Sequence, residues 1–249
     1  MLYAFLKPLV VVFLRLFFGF RRQGMEHVPA EGPVLIVANH MSLLDPMLVG
    51  GASPRPLASL AKAELFRVPL LGGLLRRLGA HPLRREGADA GALRAGLRLL
   101  RSGGAMFMFP EGTRGEEGAL GPAKPGAGML AVLVHCPVIP AYISGSGRAW
   151  PRGKWFPRPA KVTVTFGPPL NVAVGGRASR KDDYEAVSRA MMAAIAGLRD
   201  SASGSRHEDA GARCSTDSRA LARDGRRAVG GVGVGGARTS PKYTDGRNR

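Results

Sequence analysis

The residues that most restrict what this chain can fold into are Pro33-Val34-Leu35-Ile36-Val37-Ala38, a short, unbroken apolar run with β-branched members. Such a run reads as a buried strand. Ala105 to Phe109 and Val138 to Ile143 repeat the pattern, and Leu57 to Leu60 and Ala80 to Arg85 read as further short strands. Val162 to Phe166 alternates and predicts an outer strand. Helical patterns fall between them. Residues 89–102 place Leu93, Leu97 and Leu100 on one face and Arg94, Arg98 and Arg101 on another, with Gly103-Gly104 as a stop. Leu70 to Gly79, Met129 to Val134 and Asp182 to Leu198 are also helical in spacing. Strands alternating with helices predict an α/β domain with a mixed central sheet flanked by helices.

Composition divides the chain into three parts. Residues 1–22 open with MLYAFLKPLVVVFLRLFFGF and then Arg21-Arg22. No small-residue cleavage site follows cleanly, which argues against a secretory signal. Lys7, Pro8 and Arg15 interrupt the run, where a spanning helix needs about 20 apolar residues. The expectation is an apolar N-terminal helix lying in a membrane interface, with Lys7 and Arg15 reaching the headgroups. Residues 23–199 hold the α/β domain. Residues 200–249 are rich in Gly, Ser and Arg and poor in large apolar residues, so they are expected to be a disordered basic tail. The net charge of +18 lies mostly in the folded part and points to a polyanionic partner, an anionic membrane surface or a nucleic acid. The chain has only Cys136 and Cys214, which argues against a disulfide framework or a thiolate zinc site, and no metal is expected.

Loops after the carboxyl ends of strands are where α/β folds build sites. The chain offers three: Asn39 to Pro46, Arg84-Arg85, and Pro110 to Arg114. In the first, His40 follows a strand and Asp45 follows His40 in a turn. A carboxylate that fixes one imidazole nitrogen as N–H leaves the other free to accept a proton. Alone, the pair reads as a helix cap and a turn before proline. In the third loop, Gly112 and Thr113 offer backbone and hydroxyl donors, and Arg114 offers a planar two-pronged anion contact. Glu111 would not face an anion; it would orient Arg114 or accept from a hydroxyl.

NHMSLLDP resembles the HxxxxD motif of the glycerolipid acyltransferases, and FPEGTR resembles their second diagnostic motif. GPVLIVANH, KAELFRVP, GAHPLRR and CPVIPAYISG extend the resemblance, in the family's order, from about Gly24 to Leu170. By pattern it is strongest to the branch that acylates lysophosphatidate. The resemblance implies that His40 is the general base on the acceptor hydroxyl and that Asp45 orients it. The hydroxyl then attacks an acyl thioester with no covalent acyl-enzyme. It implies substrate-binding roles for Glu111, Gly112, Thr113, Arg114 and Lys124, and for Arg84 or Arg85. His81 and Arg84 depart from the family, where apolar and acidic residues are usual, so which arginine of that pair reaches phosphate stays open. The donor would be acyl-CoA or acyl carrier protein, with no further cofactor. The product would be phosphatidic acid, made at the cytoplasmic face of the cell membrane. Other acceptors, glycerol-3-phosphate or another lyso-lipid, share these motifs.

Other classes fit less well. Gly145-Ser146-Gly147 lacks the G-x-S-x-G spacing of a serine hydrolase elbow. Only 6% of residues are aromatic and no arginine–aromatic platform is visible, which argues against specific nucleic-acid binding. An inactive membrane-binding relative would not need both His40 and Asp45.

Overall fold

A computed structural model describes residues 2–77, 79–83, 90–170 and 180–224. The chain forms two compact units, Met1–Ser203 and Gly204–Arg249. In the first, the apolar N-terminal stretch is helix α1 (Leu2–Phe18), followed by the short strand β1 (Arg21–Gln23). The run that anchors the sequence is β2 (Val34–Ala38), and the turn after it starts helix α2 (Asp45–Ala52). Then come β3 (Ala58–Lys62), α3 (Leu71–Arg77), β4 (Ala80–Leu83), α4 (Ala90–Arg101) and β5 (Ala105–Met108). The remaining elements are α5 (Pro125–Val134), β6 (Val138–Ser144), the single turn α6 (Ser146–Ala149), β7 (Thr163–Phe166) and α7 (Arg180–Asp224).

The sheet has seven strands in the order β1-β7-β6-β2-β5-β3-β4. All neighbours run parallel except the antiparallel pair β6 and β7, so the sheet is mixed, as expected. β2 sits at its centre with every residue buried. Its side chains divide by the strand period of two. Val34, Ile36 and Ala38 join a core with Leu14 and Phe18 of α1 and Leu48 of α2. Leu35 and Val37 join the other core with Leu100 of α4, Leu130 of α5 and Met191 and Ile195 of α7. An apolar residue at every position is therefore required, because both faces are covered.

Four details differ from the sequence expectations. β7 is not outermost: β1 pairs with its free side, from Arg21 against Thr163 to Gln23 against Thr165. The alternation in β7 reports one buried and one half-buried face, not an exposed edge. Helix α5 starts at Pro125, ahead of the expected Met129; proline at the first helical turn has no N–H to lose and a suitable φ. The expected boundary at 199 falls inside α7, and residues 200–224 are helical. That stretch lacks apolar surface, but it has no proline, and Ala, Arg and Leu favour helix on their own. Residues 225–249 of the expected tail lie outside the described residues. Finally, Lys7 turns inward: its Nζ donates to the Ser53 carbonyl and lies 5.8 Å from the centre of the Tyr3 ring. Burial, aided by Arg22, lowers its pKa.

Leu14 and Phe18 are buried, whereas Phe5, Leu9, Val12, Phe13 and Leu16 on α1 are exposed, Leu16 by 83%. No helix among the described residues is long and apolar enough to cross a membrane.

Candidate active site

β2 lies between β5 and β6, and all three run the same way, so the chain segments that leave them meet at one end of the sheet. The last rungs pair Val37 with Met108 and Ala38 with Ala141. One residue further on, the Asn39 side chain continues the ladder where the backbone diverges. Its amide donates to the Ile143 carbonyl at 3.0 Å, and its oxygen accepts from the Ile143 N–H at 2.7 Å. Asn39 is fully buried, and its two bonds hold the base of the next residue against β6.

His40 Nδ1 lies 2.9 Å from Asp45 Oδ2. The same oxygen accepts the N–H of Met41 at 2.6 Å and of Ser42 at 2.7 Å. The carboxylate is at the first residue of α2, so it also complements the positive end of that helix. The Ser42 hydroxyl accepts from the Leu44 N–H and donates to the Trp150 carbonyl, which ties the turn to the segment after α6. An imidazole whose Nδ1 donates to a carboxylate presents Nε2 as an acceptor. The His40 ring stacks on Phe109, 4.1 Å between centroids and 8° from coplanar. Carboxylate and aromatic ring together leave the imidazole one orientation.

The second motif holds the backbone of the first. Glu111 is buried, and its Oε1 accepts the His40 N–H at 3.0 Å while Oε2 accepts the Gly121 N–H at 3.0 Å. The Gly115 N–H in turn donates to the His40 carbonyl at 2.8 Å. Both ends of the His40 residue are thus bonded to the 111–115 loop. The resemblance groups Glu111 with the substrate contacts; here each of its oxygens accepts a backbone amide, so it also acts as a strap on the histidine. Thr113 is exposed and Arg114 half-buried in the same loop. Lys124 is exposed, its N–H donates to the Pro110 carbonyl at 2.8 Å, and its stem lies across Gly112. A Cβ on Gly112 would come within 2.8 Å of Lys124 Cδ, and Gly112 has φ +67°. The histidine, the aspartate, the Gly112–Arg114 turn and Lys124 are therefore brought together.

Arg84 and Arg85 lie outside the described residues. β4, which leads to them, is three strands from β2, about 14 Å by ordinary strand spacing. Asn39, Phe109 and Glu117 escaped the sequence reading. Glu117 accepts the N–H groups of Gly145 and Gly147 at 2.6 and 2.7 Å, closing the loop after β6 onto the loop after β5. Asn39, immediately before the histidine, was open to detection; the partners of Phe109 and Glu117 exist only in three dimensions. No group of His, Cys, Asp and Glu among the described residues could hold a metal ion.

Residues 19–144 match the family model described as Acyltransferase, half of the chain and the whole span of both motifs. The chain belongs to the acyltransferase family. Its fold is that of the crystal structure of the 1-acyl-sn-glycerophosphate (LPA) acyltransferase PlsC from Thermotoga maritima. The TM-score is 0.64 and the identity 27%, covering 79% of this chain and 81% of that one. The 1-acyl-sn-glycerol-3-phosphate acyltransferase of Bacillus subtilis is 28% identical over 191 residues, 76% of this chain and 93% of that protein. The enzyme of that name from Limnanthes douglasii is 33% identical over 154 residues, 60% of this chain and 53% of that protein. The acyltransferase chain thus spans about half the length of such plant relatives.

Proposed function

We propose that the chain transfers an acyl group from a thioester, acyl-CoA or acyl carrier protein, to the free hydroxyl of 1-acylglycerol-3-phosphate, giving phosphatidic acid. The observation that carries this is a histidine held by a carboxylate at 2.9 Å and bonded through its backbone to a loop that presents Thr113 and Arg114. His40 Nε2 takes the proton of the acceptor hydroxyl as its oxygen attacks the thioester carbonyl. Asp45 stabilises the imidazolium formed. The tetrahedral intermediate collapses with loss of the thiolate, which receives the proton back from His40. Arg114 grips the acceptor phosphate in a two-pronged contact, Lys124 adds charge across Gly112, and Arg84 or Arg85 supplies a further cation. Glu111 positions the base. The exposed apolar face of α1 lies in the surface of an anionic membrane, at the cytoplasmic face of the cell membrane, where the acceptor resides.

The test compares lysophosphatidate with its dephosphorylated monoacylglycerol in parent and Arg114→Ala enzymes. Charge-assisted bonds contribute roughly 1.5–3 kcal/mol each, so the variant should lose at least about tenfold in acceptor efficiency. The donor KM should change much less, and the monoacylglycerol should be a poor substrate for both. A phosphorylated-to-dephosphorylated efficiency ratio near one in the parent, or one that does not shrink in the variant, assigns the enzyme another acceptor.

A further inference from the structure

Midway along the segment between α6 and β7 stands a pair of aromatic side chains left largely uncovered by the described residues. Trp155 is 88% and Phe156 83% exposed, and they are consecutive in the chain. The segment is not loose chain. The Trp150 indole donates to the Lys154 carbonyl at 2.8 Å, and the Lys154 N–H donates to the Pro151 carbonyl at 3.2 Å. The Arg158 N–H and Nε–H donate to the carbonyls of Ala149 and Arg148, each at 2.8 Å. Pro151, Pro157 and Pro159 stiffen it further. Such bonding presents two large apolar rings to solvent at a hydration cost that a protein surface ordinarily avoids.

Charge identifies what the rings meet. Arg148, Arg152, Lys154, Arg158 and Lys161 flank them, all exposed, and no Asp or Glu occurs between Glu117 and Asp182. Glu117, whose carboxylate reaches the start of this segment, has one oxygen on each of the Gly145 and Gly147 amides at the start of α6. Protruding Trp and Phe amid lysines and arginines match the interfacial layer of a bilayer with anionic lipid, where rings settle at the acyl boundary and cations meet headgroups. Two rings this exposed suit a soft interface, which moulds to them, better than a preformed protein groove. The segment also adjoins α1: the Val162 N–H donates to the Phe18 carbonyl at 3.0 Å, and the stem of Lys161 lies beside Gly19. Its other end is bonded to the catalytic turn through the Ser42 hydroxyl and the Trp150 carbonyl, 3.1 Å apart.

We infer that residues 150–161 form a second, independent membrane contact, which inserts Trp155 and Phe156 into an anionic lipid surface and seats the His40 turn on it. The inference deepens the proposed function, since it rests on an acceptor presented in a bilayer, but its readout needs no turnover. The full chain is mixed with vesicles of phosphatidylglycerol and phosphatidylcholine whose acyl chains are brominated, and tryptophan emission is followed. Trp150 and Trp155 are the only tryptophans. Parent and Trp150→Phe should be quenched and blue-shifted, and Trp155→Ser should not. Trp155→Ser/Phe156→Ser should bind at least tenfold more weakly. Arg152→Glu/Lys154→Glu should lose at least about twentyfold, about fivefold for each cation removed, on the anionic vesicles alone. Quenching without any acyl transfer would sink the proposed activity and leave this contact standing. Vesicle binding with Trp155 unquenched, or a double serine variant that binds vesicles normally but turns over poorly with acyl carrier protein as donor, would overturn the inference, the second result assigning the loop to an acidic protein.

Discussion

Replacing Asp45 by Asn tests the catalytic pair with the smallest change of shape. Asp45 Oδ2 accepts from His40 Nδ1, Met41 N and Ser42 N at 2.9, 2.6 and 2.7 Å. An asparagine can keep all of them only by placing its oxygen at the Oδ2 position. Its NH2 then occupies the buried Oδ1 position, which has no hydrogen-bond partner among the described residues. That arrangement preserves the imidazole orientation in the resting enzyme and removes the charge that opposes the imidazolium. Two unit charges about 4 Å apart at an effective dielectric of about 20 interact by about 4 kcal/mol, or about three decades in rate. The buried NH2 costs a further 1–3 kcal/mol or so of stability. Thiol release from acyl-CoA at saturating acceptor, measured well below the thermal midpoint of the variant, should therefore fall about a thousandfold in kcat. A folded Asp45→Asn enzyme within tenfold of the parent would show that no imidazolium forms against this carboxylate, and the base assignment of His40 would fall with it.

The remaining predictions concern the frame. Glu111→Gln keeps one acceptor but sets its NH2 against an amide N–H, so stability to urea should drop by about 1–3 kcal/mol, with activity falling as His40 loses its strap; an unchanged midpoint and rate would refute the strap. Gly145→Ala places a Cβ onto the Lys161 backbone carbonyl at φ +85°, whereas Gly112→Ala meets only the flexible stem of Lys124. The first should lower the thermal midpoint clearly more than the second, and the reverse order would contradict the packing described. Burial pushes the Cys136 thiol above its ordinary value of 9.0, with smaller opposing contributions from backbone hydrogen bonds. The unfolded thiol then ionises first, so this stabilisation is complete below the ordinary thiol pKa and is lost as pH rises through and beyond it. Unfolding between pH 7 and 10 should lose stability more steeply in the parent than in Cys136→Ala, and identical slopes would count against a desolvated thiol.

The parts of the molecule that could be read from the chain are those whose cause is local. β2 announces itself because both its faces are buried, and every residue must then be apolar. His40 and Asp45 lie five positions apart across one turn, so strand end and helix start alone bring them within reach. Gly72 of α3 is a site of close approach, where a Cβ would collide with the Phe66 carbonyl, whereas Gly73 faces open space. β1 was invisible: Arg21-Arg22-Gln23 carries no apolar signal, because its place depends on backbone bonds to β7 rather than on buried side chains. The positioning role of Glu111 was hidden for a related reason: a carboxylate three positions before Arg114 invites an ion pair, but its bonds go to backbone amides, one of them 71 residues away. Lys7 was expected to point to headgroups by helical spacing, and a carbonyl at the end of α2 claimed it instead.

The bonds from Glu111 and Gly115 to the two ends of His40 bear on how this site could be transplanted. The HxxxxD turn is not a portable cassette. Its histidine has no position of its own until a neighbouring strand delivers a carboxylate below it and an amide beside it, and Asn39 needs Ile143 on a strand at the other side. A designer grafting this base onto another parallel sheet would have to carry three adjacent strands in register, not one loop. The mouth is different: Thr113 and Lys124 are exposed and Arg114 is half-buried, outside that ring of bonds. On the proposed function, substitutions at this rim should change acceptor preference while the His40 turn beneath keeps its alignment.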